Sequence, residues 1–373
     1  MKLDANLGTE GEYLKRAGET ARAAEEIGFS GLWSSETKHD AFLPLAIAAN
    51  ETERVSLGTS IAVAFSRSPM QVAQTAWDLQ NLSDGRFILG LGTQVKAHIT
   101  RRFSMPWDSP ASRLRDYVLA LRAIWNSFQT GEPLQHEGDF YRHTLMTPFF
   151  DPGPIEHPDI PIHIAGVNER LASVAGEVCD GFHVHPFHSP EYVQRTVLPA
   201  IEKGAEKADR SPEGVELVAS AFVITGQNEA EIEKQRETLR AQAAFYASTP
   251  SYCVVLEAHG WGEVGERLSG LAREKRWDQM SALITDEMLS AFAVEAAPDE
   301  MGPAVVERYE GLIDRVALYL PFVPGEKDKF WRAIVESVQD NNRSRRKEAL
   351  LGLRGRLRLE EDWRELREAE IGE

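Results

Sequence analysis

The chain has 373 residues, 42% of them hydrophobic, and sets 41 Lys+Arg against 58 Asp+Glu for a formal net charge of −17. That length accommodates one large α/β domain or two medium ones, and the acidic balance argues against nucleic acid as a partner, since duplex affinity rests on Lys and Arg neutralising phosphates. No apolar run approaches the roughly 20 residues that cross a bilayer; the first residues lack a basic segment followed by an apolar one; and two distant cysteines, Cys179 and Cys253, suit a reducing compartment, so a cytoplasmic protein with no membrane partner is expected.

Residues 2–7 (KLDANL) read as a short strand, and 12–29 as a helix with Leu14, Ala17, Ala21, Ala24 and Ile27 on one stripe. A second strand, 31–35, precedes an Ala-rich helix. The β-branched run 55–65 is a third strand, followed by a helix with Pro69 in its first turn and Gly85 past its end. Residues 86–92 form a fourth. The long stretch 93–159 holds a helix around 112–128 and then a Pro/Gly-rich segment. Strands at 160–166, 181–185, 215–225 and 314–320 complete the set, with several helices expected over 226–313. Eight apolar strands, each tied to a helix, predict a parallel sheet buried on both faces. Their number predicts an α/β fold of the (β/α)8 TIM-barrel type with insertions after strands four and seven. This domain covers 1–342. A charged tail, 343–373, carries nine basic and eight acidic side chains and reads as a solvated helix lying on the barrel or on a neighbouring subunit.

Barrel enzymes assemble their sites at the C-terminal ends of the strands. Those positions hold Asn6 after strand one, Glu36 to Asp40 after strand two, Ser60 and Ile61 in strand three, and Gln94, Lys96, His98, Arg101 and Arg102 after strand four. Ala165 to Asn168 follow strand five, and His183, His185 and His188 belong to strand six and its loop. Gly90-Leu91-Gly92 is no dinucleotide fingerprint, because Val95 replaces its third glycine, and no G-x-S-x-G nucleophile elbow occurs. The H-x-H-x-x-H of strand six, with Asp180 nearby, suggests a metal, but histidines lining an organic ligand are preferred and no metal is assigned. Gly166 ends a strand where a helix starts near Asn168. Free N–H groups and the positive helix end then accept a phosphate, or the glycine serves a tight turn alone.

The stretches ARAAEEIGFSGLWSSE, VSLGTSIAVAFSRSPMQVAQTAWDLQNLSDGRFILGLGT and IPIHIAGVNERLASVAGEVCDGFHV resemble the luciferase-like monooxygenase superfamily. More narrowly, they resemble its branch that uses coenzyme F420, a deazaflavin. The resemblance spans roughly residues 1–342. It implies a TIM-barrel subunit, commonly a homodimer or higher homo-oligomer, that holds a flavin or deazaflavin across the strand C-termini. Asn6, Ser60, Ile61 and Gln94 are then cofactor contacts, the Ser60–Ile61 bond matches a cis non-prolyl peptide, and Ala165, Gly166, Val167 and Asn168 match a phosphate-binding turn. His39 is the implied proton donor or acceptor, with Glu36 as its orienter or as the base. Lys96, His98, Arg101 and Arg102, with His183 and His185, are candidates for the cofactor tail or the substrate. Val95 stands where sugar-phosphate dehydrogenases of the family have glutamate, which argues against that activity. The expected function is hydride transfer between coenzyme F420 and a small organic substrate. An FMN-dependent monooxygenase using oxygen, and a non-catalytic ligand-binding barrel, are the alternatives.

Overall fold

Each of the eight apolar segments forms a strand parallel to both of its neighbours in the computed structural model, which describes residues 1–8 and 13–344. They are β1 (Lys2–Asn6), β2 (Gly31–Ser34), β3 (Ser56–Thr59), β4 (Phe87–Gly92), β5 (Ile162–Gly166), β6 (Gly181–Val184), β7 (Glu216–Ile224) and β8 (Arg315–Leu318). Adjacent strands pair in chain order, and β8 returns to β1 through Lys2↔Arg315, which closes the barrel. Parallel neighbours require long crossovers. These are supplied by α1 (Tyr13–Ile27), α2 (Leu43–Glu51), α3 (Pro69–Leu82), α4 (Pro110–Thr130), α5 (Glu169–Val178) and α6 (Leu198–Lys207). The expected stripe of α1 buries Ala17, Ala21, Ala24 and Ile27, and α3 begins in a capping box between Ser68 and Gln71 with Pro69 in its first turn. No helix among the described residues is long and apolar enough to cross a membrane.

Three features differ from the sequence expectation. The third apolar segment is not one strand: β3 ends at Thr59, the Ser60–Ile61 peptide is cis, and Ala62–Val63 pairs with the end of β4. The insertion after β4 adds a hairpin, His136–Glu137 with Arg142–His143, clamped by Asp116, which accepts from His136 and from the Phe140 and Tyr141 amides. The insertion after β7 holds α7 (Glu229–Ala247) and further short helices, and it contributes a strand, Ala293–Glu295, that extends β7 in parallel. A helix over 328–344 ends the described chain; the expected tail lies outside the described residues from 345 onward.

The barrel interior is polar for a fold whose strands usually fill it with branched aliphatics. Only Ile88, Val218 and Ala317 join Trp33 in the apolar layer there. Beneath them Arg315 forms a buried, two-pronged ion pair with Asp4 at 2.7 and 2.9 Å, and the Trp33 indole N–H donates to the same carboxylate at 2.9 Å. Burial opposes the charge on Arg315, yet Asp4, with Glu216 3.8 Å from the same guanidinium, more than offsets this and holds it above its ordinary pKa. His163 and His183 lie beside Trp33, their rings 5.3 Å apart. Burial, with Arg315 and Lys2 adding repulsion, pushes His163 down to about 3; burial next to His163 and Arg315 holds His183 well below the imidazole range.

Two predictions follow from this interior. Arg315→Met should lower the unfolding free energy by roughly 3–5 kcal/mol in urea titrations, because it strands a buried carboxylate. Adding Asp4→Asn, which keeps an acceptor for Trp33, should recover part of the loss; equal stability of Arg315→Met and wild type would refute the argument. His163 and His183 are neutral when folded and bind protons at about pH 6.5 when unfolded. The unfolded state therefore holds more protons below that pH, and stability should fall as pH drops from about 6.5, by up to ~1.4 kcal/mol per pH unit for each group. A flat profile between pH 7 and pH 4.5 would contradict it.

Candidate active site at the barrel mouth

All the expected site residues lie at the C-terminal ends of the strands or in the loops that follow them, and they fall into separate clusters. The first is the β5–α5 turn. Asn168 caps α5, its side chain accepting from the Leu171 amide at 3.2 Å, and the Val167 carbonyl accepts from the buried Tyr192 hydroxyl. The first amides of α5 have no helical acceptor and open toward the mouth, since the helix begins where β5 ends. A Cβ on Gly166 would lie 2.6 Å from the Leu171 Cβ, so only glycine lets the backbone pass here. Glu169, exposed in the first turn, sits beside the exposed Arg170. The turn can receive an anion on backbone donors.

The second cluster is the loop after β2. Glu36 is buried, and its carboxylate accepts from the Val63 amide at 2.7 Å and from Arg67 at 2.7 and 3.0 Å. The other arm of Arg67 reaches Asp40 at 2.7 Å, and Asp40 also accepts from the Phe42 and Leu43 amides, fixing the start of α2. Burial opposes the charge on Arg67, but the two carboxylates prevail and raise its pKa. His39 is exposed and stacks on Tyr13, ring centroids 4.5 Å apart. Burial and the charge of Asp40 hold the Tyr13 phenol above its ordinary range. Among the described residues no hydrogen bond joins Glu36 to His39. The carboxylate anchors the loop that presents the imidazole. Arg102 secures the same loop by donating to the Thr37 carbonyl, so His39 lies between two anchored neighbours. Lys96, His98 and Arg101 are exposed on the short helix Lys96–Arg101.

Between these clusters, the Ser60 hydroxyl meets His183 Nδ1 at 3.3 Å, beside the expected and observed cis bond. Gly90 brings β4 against β3 so closely that a Cβ there would lie 1.9 Å from the Thr59 carbonyl. Asn6 donates to the Leu318 carbonyl at 3.3 Å, and Gln94, at φ 59, accepts from the Val95 amide with its side chain.

The strand-six histidines have three different partners. His183 points inside the barrel, whereas His188 is buried against the Tyr309 hydroxyl at 3.1 Å. His185 faces an aromatic wall, with ring centroids 4.8 Å from Tyr246 and 4.7 Å from Tyr252. The Tyr246 and Tyr319 hydroxyls lie 3.2 Å apart, and Phe222 packs edge-on to Tyr319 at 5.2 Å. Burial pushes His185 down to about 3 and raises the Tyr252 and Tyr319 phenols. Sequence reasoning named His185 but missed Phe222 and the three tyrosines around it, together with Arg67 and Tyr13. Tyr319 carried a usable signal, since it continues the inward alternation of β8. Tyr246 and Tyr252 carried none, because they belong to the insertion.

The family description "luciferase-like monooxygenase" matches residues 1–315. The chain is similar to an uncharacterized protein of Mycobacterium tuberculosis, at 46% identity over 316 residues that cover 85% of this chain and 92% of the relative. It is similar to the 5,10-methylenetetrahydromethanopterin reductase of Methanolobus tindarius, at 26% identity over 82% of this chain and 90% of that one. Its fold superposes on the solved coenzyme F420-dependent tetrahydromethanopterin reductase of Methanopyrus kandleri with a TM-score of 0.70, at 22% identity, over 90% of this chain and 97% of that one. With its matched region covering seven strands of the barrel and reaching the eighth, the chain belongs to the luciferase-like monooxygenase family, as an oxidoreductase.

Proposed function

We propose that the protein is a coenzyme F420-dependent oxidoreductase that moves a hydride between the deazaflavin and a small organic substrate at the barrel mouth. The observation that carries this reading is the β5–α5 turn, where Gly166 has no room for a Cβ and α5 starts directly after β5, leaving the Glu169 and Arg170 amides without helical acceptors. The likeness to reductases, one of them named for coenzyme F420, supports the same cofactor. Ala165, Gly166, Val167 and Asn168 would hold the phosphate, with Asn6, Ser60, Ile61 and Gln94 around the ring system. When bound, the deazaflavin supplies a two-electron hydride donor or acceptor; the protein positions it and manages protons.

His39 is the proton donor or acceptor of this reading, because an imidazole can both give and take a proton and this one is exposed at the rim. Tyr13 holds one face of its ring. Glu36 and Asp40 act through Arg67 as positioning groups for the loop. Lys96, Arg101 and Arg102, with His98 beside them, are candidates to receive an anionic cofactor tail.

Fluorescence titration of the purified chain with coenzyme F420 and with FMN tests the cofactor. Binding is expected for the deazaflavin, and Gly166→Val should weaken it more than about tenfold by filling the turn; unchanged affinity in that variant would remove the turn from the cofactor site. An oxygen electrode tests the reaction class. Oxidation of the reduced deazaflavin should require an organic acceptor and show no stoichiometric oxygen uptake, whereas rapid substrate-dependent uptake with reduced FMN would establish the monooxygenase instead. With any acceptor that supports turnover, His39→Ala should cut the rate by about 10²–10⁴ while leaving cofactor affinity within a few-fold, as expected for a lost acid or base.

A further inference from the structure

We propose that the wall of His185, Phe222, Tyr246, Tyr252 and Tyr319 is the substrate subsite, shaped for an uncharged organic molecule that presents a carbonyl or hydroxyl oxygen. The assignment rests on the reading of the mouth as a cofactor site and adds the chemical class of the second ligand.

Strand geometry places the wall. Side chains alternate along a strand, and His183, Ser220 and Ala317 are inward positions of β6, β7 and β8; His185, Phe222 and Tyr319 are two residues further along each. Register agrees, for the Tyr319 amide donates to the Ala221 carbonyl at 2.7 Å, keeping β7 and β8 level at the rim. Tyr246 from α7 and Tyr252 from the turn Pro250–Tyr252 close the outer side. His185, Tyr246 and Tyr252 are half-buried and Tyr319 remains 39% exposed, with Phe222 buried behind them. Such a surface offers ring faces to an apolar ligand body while its polar tips stay reachable.

Hydrogen-bond bookkeeping then selects the ligand. His185 Nδ1 accepts from the Phe187 amide at 3.1 Å, so a neutral ring carries its proton on Nε2 and presents a donor. The Tyr246 and Tyr319 hydroxyls share one hydrogen bond at 3.2 Å, which leaves one of the two phenolic hydrogens for a third group. Burial keeps His185 uncharged at neutral pH and holds the Tyr319 phenol above its ordinary range. The wall thus combines ring faces, neutral donors and no formal charge. An oxygen acceptor on a neutral molecule satisfies the donors. A carboxylate would give up its hydration without gaining a counter-charge, and a cation would meet donor hydrogens.

The test uses the full-length chain, with and without saturating oxidised coenzyme F420, and three ligands of one ring size: acetophenone, benzoate and phenyltrimethylammonium. Calorimetry is expected to show acetophenone binding at least about tenfold tighter than either ion, given the cost of desolvating a charge. The double variant Tyr246→Phe/Tyr319→Phe should lose about 3–10-fold in acetophenone affinity, the value of one hydrogen bond, with coenzyme F420 affinity unchanged. Equal or tighter binding of benzoate or of the ammonium ion, no acetophenone binding, or an acetophenone affinity indifferent to the two hydroxyls would each overturn the subsite. Tyrosine-dependent acetophenone binding in a chain that takes up no coenzyme F420 would support the subsite and refute the cofactor reading, so the two fail separately.

Discussion

The buried ion pair between Asp4 and Arg315 lies at the seam where the last strand returns to the first, and a polar column stands on it. The Asp4 carboxylate takes two donors from Arg315 and a third from the Trp33 indole. Trp33 lies edge-on to His183 at 4.9 Å, and His183 meets the Ser60 hydroxyl at the rim. Two charges so deep are tolerated because each satisfies the other and the remaining lone pairs are taken up. Removing one partner would leave the other without compensation inside the barrel. The position of Ser60, and with it the floor of the mouth, is therefore tied to a contact one barrel layer below.

Above that floor the mouth is asymmetric. Strands two to four bring cations, a half-buried Arg67 bridging two carboxylates, and an exposed imidazole. Strands six to eight bring uncharged rings. The N-terminus of α5 stands between the two sides. Charged groups thus gather on one side of the mouth and ring faces on the other. The loop bearing His39 is held at Thr37 and Asp40 by two different arginines, which limits the entropy that must be lost in presenting the ring.

Several of these features were legible in the chain itself. Parallel strands covered by helices on the outer face are largely apolar, so β4, β5 and β7 stood out as runs of Val, Ile, Leu, Phe and Ala, with β1 and β2 shorter and more polar. The β5–α5 turn was legible because glycine followed by a capping Asn marks a strand-to-helix junction. The role of Glu36 was not. Its partner Arg67 lies 31 residues away, and nothing in the loop's own sequence distinguishes a carboxylate bound to that arginine from one bound to His39. The strand Ala293–Glu295 escaped notice because three residues at the margin of a sheet carry no periodic signal. The third segment looked continuous because β-branched and apolar residues lie on both sides of the cis bond, where the pairing partner changes from β3's neighbours to the end of β4 alone.

By itself, then, the sequence determined the order of the barrel strands, the barrel class and the glycine turn between β5 and α5, because short-range propensity and periodic burial express themselves within ten or twenty residues. Only the tertiary structure decided which side chains meet. Asp4 finds Arg315 across 311 residues, and Tyr246 finds Tyr319 across 73. Both contacts exist because eight strands close on themselves and bring distant segments to one axis. Closure is a property of the whole ladder, whereas hydrophobic pattern is a property of each strand, and that is why the fold could be read locally while the partners at its mouth could not.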